Sequence, residues 1–155
     1  EDSDFTMEKF KEVYNANLAN GLGNLVSRIL KMSSANGISY GDILKWDIEF
    51  EMDITSEMKF KKRFGDALET YNIQEATNCI WEKISGLDLR IQQEQPFKLI
   101  KDNLTKGSQS IMFLLMELNG IVALLKPFMP ETAEKINQLL QENKMPVAPL
   151  FPRKD

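Results

Sequence analysis

Gly107-Ser108-Gln109-Ser110-Ile111-Met112-Phe113-Leu114-Leu115-Met116-Glu117-Leu118-Asn119-Gly120-Ile121-Val122-Ala123-Leu124-Leu125-Lys126 is the stretch that decides the fold. Ile111, Leu114, Leu115, Leu118, Val122 and Leu125 recur at the spacing of one helical face, and Met112, Phe113 and Met116 widen that face until the helix is apolar nearly all round. Such a helix is stable in water only when other helices surround it. Glu117 and Asn119 interrupt the run before it reaches the roughly 18 consecutive apolar residues of a membrane span. The reading is therefore the central helix of a bundle, with no membrane contact, and Pro127 ends it.

The stripes on either side supply the surrounding helices. Downstream, Pro130 at a first-turn position, Glu131 beside the positive helix end, and Ala133, Ile136, Leu139 and Leu140 predict a shorter last helix before the proline-rich run Met145 to Pro152. Upstream, Ile73, Ala76, Ile80, Ile84, Leu87 and Ile91 form a stripe that must stop before Pro96. Phe60, Phe64, Ala67, Leu68 and Tyr71 form another, after the capping candidates Thr55 and Ser56. Leu18, Leu22, Leu25, Val26, Ile29 and Leu30 mark a helix ending before Asn36-Gly37. Gly21 and Gly23 inside it cost about 1 kcal/mol each relative to Ala, which points to close approach of a neighbouring backbone. A first helix near residues 7–16 follows Thr6 as its cap. Only residues 37–54 break the pattern. Ile48 to Ile54 alternate apolar and acidic, which suits an extended connector laid on the helices. The expectation is an all-α helical bundle of five to six helices, with an extended connector at about 37–54, in a single domain over 1–155.

Composition removes most catalytic chemistry. The 155 residues contain no histidine and one cysteine, Cys79, so this chain cannot build a Ser-His-Asp triad, a Cys-His dyad, a Cys/His zinc site or a disulfide. Carboxylates are the remaining acid/base groups, and they fall on polar helix faces where solvated charge is the default. No catalytic residue and no metal ligand is expected. The formal net charge of −4 argues against a generic basic nucleic-acid binder, but the charge is uneven. Residues 1–54 carry −5, 55–106 carry +1 and 107–155 are neutral. The start at Glu1-Asp2-Ser3-Asp4, without Met or an apolar signal segment, gives the chain the look of a piece of something longer.

Two local patterns carry functional content. Opposite the leucine stripe lie Asn24, Ser27, Arg28 and Lys31, with Asn24 and Arg28 as i, i+4 neighbours. An amide beside a guanidinium presents donors and an acceptor to the edges of unstacked bases, as in recognition of single-stranded RNA loops. The same spacing also suits a plain solvated face. In Glu94-Gln95-Pro96-Phe97-Lys98-Leu99-Ile100-Lys101, an aromatic fixed by a preceding proline and followed by lysines suits a stacking platform, worth roughly 1–3 kcal/mol per base. A phenylalanine closing the bottom of the core is the alternative.

The blocks Asp4-Phe5-Thr6, Tyr14 to Arg28, Pro96-Phe97-Lys98-Leu99-Ile100-Lys101-Asp102 and Lys126-Pro127-Phe128-Met129-Pro130-Glu131-Thr132-Ala133-Glu134-Lys135-Ile136, with the terminal Leu150-Phe151-Pro152-Arg153, closely resemble the anticodon-binding domain of methionyl-tRNA synthetase. The similarity runs over essentially the whole chain. It implies a class I aminoacyl-tRNA synthetase bundle that reads the CAU anticodon of methionine tRNA, following a catalytic domain absent from this sequence. That parent would be a cytoplasmic methionine-tRNA ligase of protein biosynthesis, with ATP bound in its catalytic domain and no cofactor in this chain. The implied partners are methionine tRNA and the chain's own catalytic domain.

The resemblance places Asn24 and Arg28 at contacts to anticodon bases, and Phe97 where the family has a stacking tryptophan. Ser27, Lys31, Arg90 and Lys98 are further candidates for RNA contact. Asp88 and Arg90 stand where an asparagine and a tyrosine are expected, and Phe97 lacks the indole N–H donor. Those departures and the negative charge favour the alternative, a non-catalytic protein-interaction module that kept the fold without binding RNA. Lys31-Met32-Ser33-Ser34 mimics the family's ATP-loop signature but lacks its second lysine and lies at a helix end, so it is read as coincidence.

Overall fold

In the computed structural model, residues 5–45 and 54–155 are described, and every regular element among them is helical. The α-helices are α1 (Met7–Tyr14), α2 (Asn24–Ala35), α3 (Ile54–Glu69), α4 (Ile73–Glu94), α5 (Pro96–Asp102), α6 (Leu104–Leu125) and α7 (Pro130–Glu142). A π-helical segment, Asn15–Gly23, joins α1 to α2 without a break, since Asn15 and Asn24 at its edges keep helical dihedrals. The result is five long rods with the short α5, the bundle expected from the stripes.

α6 is the centre. It packs against α2, α4, α5 and α7, and Ile111, Leu114, Leu115, Leu118 and Ile121 are fully buried. By length and composition α6 could cross a membrane, but 56% of its most apolar window is spent inside the bundle. Its start is earlier than the apolar run suggests. Asn103 caps it, Oδ1 accepting from the Lys106 amide at 3.0 Å, so Gly107 lies within the first turns. A Cβ on Gly107 would sit 2.2 Å from Ile100 Cα, so the missing side chain is what lets α5 fold back onto α6.

Other ends follow local chemistry. Thr6 Oγ1 accepts from the Lys9 amide at 3.2 Å, and Asn72 Oδ1 from the Glu75 amide at 3.0 Å. Gly37 takes the left-handed conformation just past α2, and Asn143 does so past α7. Ser33 is fully buried, bonded to the Ile38 carbonyl at 2.8 Å and facing the Asn143 amide, which gives Lys31-Met32-Ser33-Ser34 a structural purpose. α3 is fixed to α4 by Arg63, which pairs with Glu75 and Glu82 and holds the Glu82 carboxyl below the ordinary carboxylate range. Cys79 is buried, its thiol pushed up by desolvation.

Three expectations need correction. The connector is not extended where it is described: Tyr40–Lys45 is a 3₁₀ turn packed on α6 and α7, with the Ser39 hydroxyl donating to Asp42 Oδ2 at 2.6 Å. The alternation at 48–53 lies outside the described residues. α3 begins at Ile54, so Thr55 and Ser56 stand inside its first turn rather than before it. Finally, a Cβ on Gly21 would make only ordinary contact, and one on Gly23 would meet the Leu18 carbonyl at 3.1 Å and the Phe151 ring at 3.3 Å. The neighbours at Gly23 are a carbonyl of its own π-helical segment and the Phe151 side chain, not the backbone of another element.

Candidate nucleic-acid interface

The π-helical segment sets the orientation of everything after it. A π-helix bonds i to i+5, so residues five apart lie one above the other. Asn15 and Asn20 are such a pair, and both hold the C-terminal tail. Asn15 Nδ2 donates to the Lys154 carbonyl at 2.8 Å while its Oδ1 accepts from the Lys154 amide at 2.9 Å. Asn20 Oδ1 accepts from Arg153 Nη2 at 2.8 Å. Phe151 fits against Gly23 and meets Tyr14 edge-on at 6.4 Å. The tail thus straps the segment that delivers α2 to the surface.

Along α2 the candidate residues divide between two hollows. Asn24 is exposed and, with Ser27, lines a hollow of about 280 Å³ whose far wall is the tail from Met145 to Phe151. The Ser27 hydroxyl donates back to the Gly23 carbonyl at 2.9 Å. Arg28 and Lys31 line a larger cleft of about 490 Å³, floored by Ile91 of α4 and closed by Phe97, Ile100 and Lys101 of α5.

Phe97 reaches this cleft because of one turn. Gln95 adopts the left-handed conformation, φ 46° and ψ 59°, which costs a non-glycine residue on the order of 1 kcal/mol or more. It reverses the chain between α4 and α5, and Pro96 occupies the first turn of α5. Pro96 and Ile100 are buried, Ile100 at the edge of the cleft, while Phe97 and Lys101, also four apart, stand out into it. Phe97 is 45% exposed, so the ring is open to solvent rather than sealed in the core. Lys98 Nζ lies 5.9 Å from the Phe97 ring centroid, at the outer limit of a cation–π contact.

Arg90 is not brought to this cleft. Two residues past Asp88, it projects roughly 200° around α4. Its guanidinium lies 3.7 Å from the Phe113 ring centroid, and Nε is 2.7 Å from Glu94 Oε1, with an angle short of a hydrogen bond. Glu94 is held in turn by the Ser110 hydroxyl at 2.6 Å. Arg90 therefore works in the α4–α6 packing. Arg28, in contrast, lines the cleft and is ion-paired with Asp88 of α4, which does not line it, a partner 60 residues away that no local pattern reveals. Lys101, the second lysine of the run that follows Phe97, belongs to the cleft as well. Among the described residues no group of acidic residues and cysteine has the makings of a metal site.

The cleft can do one thing well. A half-exposed ring, a guanidinium and lysines at the rim suit a flat, polar-edged, anionic ligand such as an unstacked nucleotide. No family model matches the chain. It is 30% identical over 136 residues to the methionine–tRNA ligase of Chlamydia muridarum, covering 85% of this chain and 24% of that protein. It is 32% identical over 140 residues to that of Clostridium acetobutylicum, covering 88% and 22%, and 29% identical over 142 residues to that of Pyrococcus horikoshii, covering 90% and 19%. The chain thus spans about a fifth to a quarter of the length of these relatives. Mycobacterium tuberculosis methionyl-tRNA synthetase in complex with methionyl-adenylate has the same fold, with a TM-score of 0.70 at 19% identity over 96% of this chain and 34% of that one.

Proposed function

We propose that this chain, a relative of the methionine–tRNA ligases over nearly its whole length, reads the anticodon loop of a methionine tRNA on behalf of a ligase. The observation that carries the reading is the cleft in which Phe97 and Arg28 converge with Lys31 and Lys101. A loop base leaves the stack and lies on Phe97, an exchange worth roughly 1–3 kcal/mol. Arg28 donates to the edge of a base, the rim lysines meet the backbone phosphates, and Asn24 offers its amide one turn along α2. In this reading ATP, methionine and the ester-forming chemistry fall to a catalytic domain outside this sequence. The role implies the cytoplasm, where tRNAs are charged.

The single domain at 1–155 belongs to the same reading. Its test is binding of an RNA hairpin carrying a CAU loop against one with a scrambled loop, over a series of salt concentrations. A preference for CAU that disappears in Arg28→Ala supports the reading; equal affinity for both hairpins refutes it.

A second reading, a protein-interaction module that no longer binds RNA, is favoured by α1. That helix has no buried residue, and Phe5, Met7 and Val13 are 74%, 55% and 50% exposed. A protein scaffold would show neither the hairpin preference nor the steep salt dependence that phosphate contacts produce.

A further inference from the structure

The group that answers Arg28 is itself tightly held. Arg28 Nη1 pairs with Asp88 Oδ1, and Gln92, one turn further along α4, donates from Nε2 to Asp88 Oδ2 at 2.6 Å. Both carboxylate oxygens therefore have a partner. The pair is also open to a ligand, with the Arg28 and Asp88 side chains 40% and 37% exposed. A guanidinium carries five N–H donors in a fixed fork, so one contact to Asp88 leaves donors to spare.

What can use those donors depends on charge. A phosphate arriving at Arg28 sets a second anion against the Asp88 carboxylate, and the guanidinium is already neutralised. The acceptor edge of an uncharged base meets no such repulsion. It gains a donor whose direction is fixed by the Asp88–Gln92 arrangement.

We propose that Asp88 is the specificity-determining residue of the cleft: it neutralises and aims Arg28, so that the site takes the neutral acceptor edge of an unstacked base and turns away a backbone phosphate. This rests on the RNA reading above. Asp88 is a positioning residue, since it acts through Arg28. The lysines of the cleft, Lys31 and Lys101, remain the groups for phosphate.

The test is Asp88→Asn, which keeps the shape of the side chain and an acceptor for Gln92 while removing the charge. Binding of the CAU hairpin and of the scrambled hairpin is measured across a potassium chloride series. The scrambled hairpin should gain affinity at low salt more than the CAU hairpin does, narrowing the preference by about fivefold, the lower end for losing one oriented base contact. The slope of log affinity against log salt should steepen by about 0.7, the increment for one further single-strand phosphate. Asp88→Ala must shift the slope in the same direction, so the result does not hang on the folding of one variant. In an Arg28→Ala background Asp88→Asn should change neither quantity, which separates control of Arg28 from a general loss of negative charge. The proposal is overturned by an Asp88→Asn protein that keeps both the slope and the preference, or by an equal slope change without Arg28. Failure of the underlying reading looks different: the unmutated protein would then show no preference between the hairpins at all.

Discussion

Gly107→Ala sets two effects of opposite sign against each other. Helix propensity alone favours Ala over Gly inside α6 by about 1 kcal/mol. The crossing of α5 over α6 opposes it, because the new Cβ would stand 2.2 Å from Ile100 Cα and 2.5 Å from both its amide nitrogen and its Cβ. Ordinary contact begins near 3.4 Å, so the backbone of α5 at Ile100 must retreat by the difference, about 1.2 Å. Overpacking that side chains absorb costs roughly 1–3 kcal/mol; here the obstacle is backbone, so the cost sits at or above the upper end. The clash wins, and the net loss should be about 2 kcal/mol or more. Urea unfolding followed by far-ultraviolet circular dichroism would read it as a lower midpoint at unchanged slope. Since Phe97 and Lys101 ride on α5, hairpin affinity should fall as well. Gly120→Ala is the control, because nothing lies within 4 Å of its added Cβ and propensity acts there alone, stabilising by up to about 1 kcal/mol. A Gly107→Ala protein as stable as the unmutated one would refute the argument.

Two further outcomes follow from the same geometry. Phe97→Ala should weaken CAU hairpin binding at fixed salt by the worth of one stack, roughly 1–3 kcal/mol, with a smaller effect on urea stability than a core truncation, because the ring is 45% exposed; unchanged affinity with a large stability loss would make it a core residue. Phe151→Ala, which empties the buried contact between the tail and Gly23, should cost about 3 kcal/mol by the same urea assay, as full truncation of a buried Phe does. A loss below about 1 kcal/mol would mean that the strap is held by Asn15 and Asn20 rather than by the ring.

The bundle was legible because most rods carry a periodic stripe. Two stripe-end residues, Tyr71 beyond α3 and Ile73 at the start of α4, are nevertheless 86% and 54% exposed, since a stripe stops being covered where its helix meets a turn. Leu22, Leu25, Val26, Ile29 and Leu30, chosen by spacing, are all buried, and Ile84, Leu87 and Ile91 likewise. Caps were legible where a side chain bonds its own helix, as at Thr6. The π-helical junction was not. Its flanking dihedrals stay helical, and its side chains are bonded by tail residues more than 120 positions away, such as Lys154 on Asn15. Asn24, Arg28, Ser27 and Lys31 were legible as one polar face, but their separation into two hollows depends on which neighbour stands opposite: the tail for Asn24, α4 and α5 for Arg28.

Spacing and residue type were enough for an all-α bundle around the apolar run 111–125, for excluding any site that needs histidine or a second cysteine, and for a short list of polar and aromatic candidates. These are local matters of spacing, capping and residue type, each decided within a few helical turns. Packing between distant helices set Phe97 and Arg28 on the lining of one cleft, turned Arg90 away to Phe113 and Glu94, and brought Arg28 up already paired with Asp88. Those are questions of which surfaces meet. A helix repeats its own faces every 3.6 residues, but nothing in that repeat says which face of another helix will stand opposite; packing around α6 settles it.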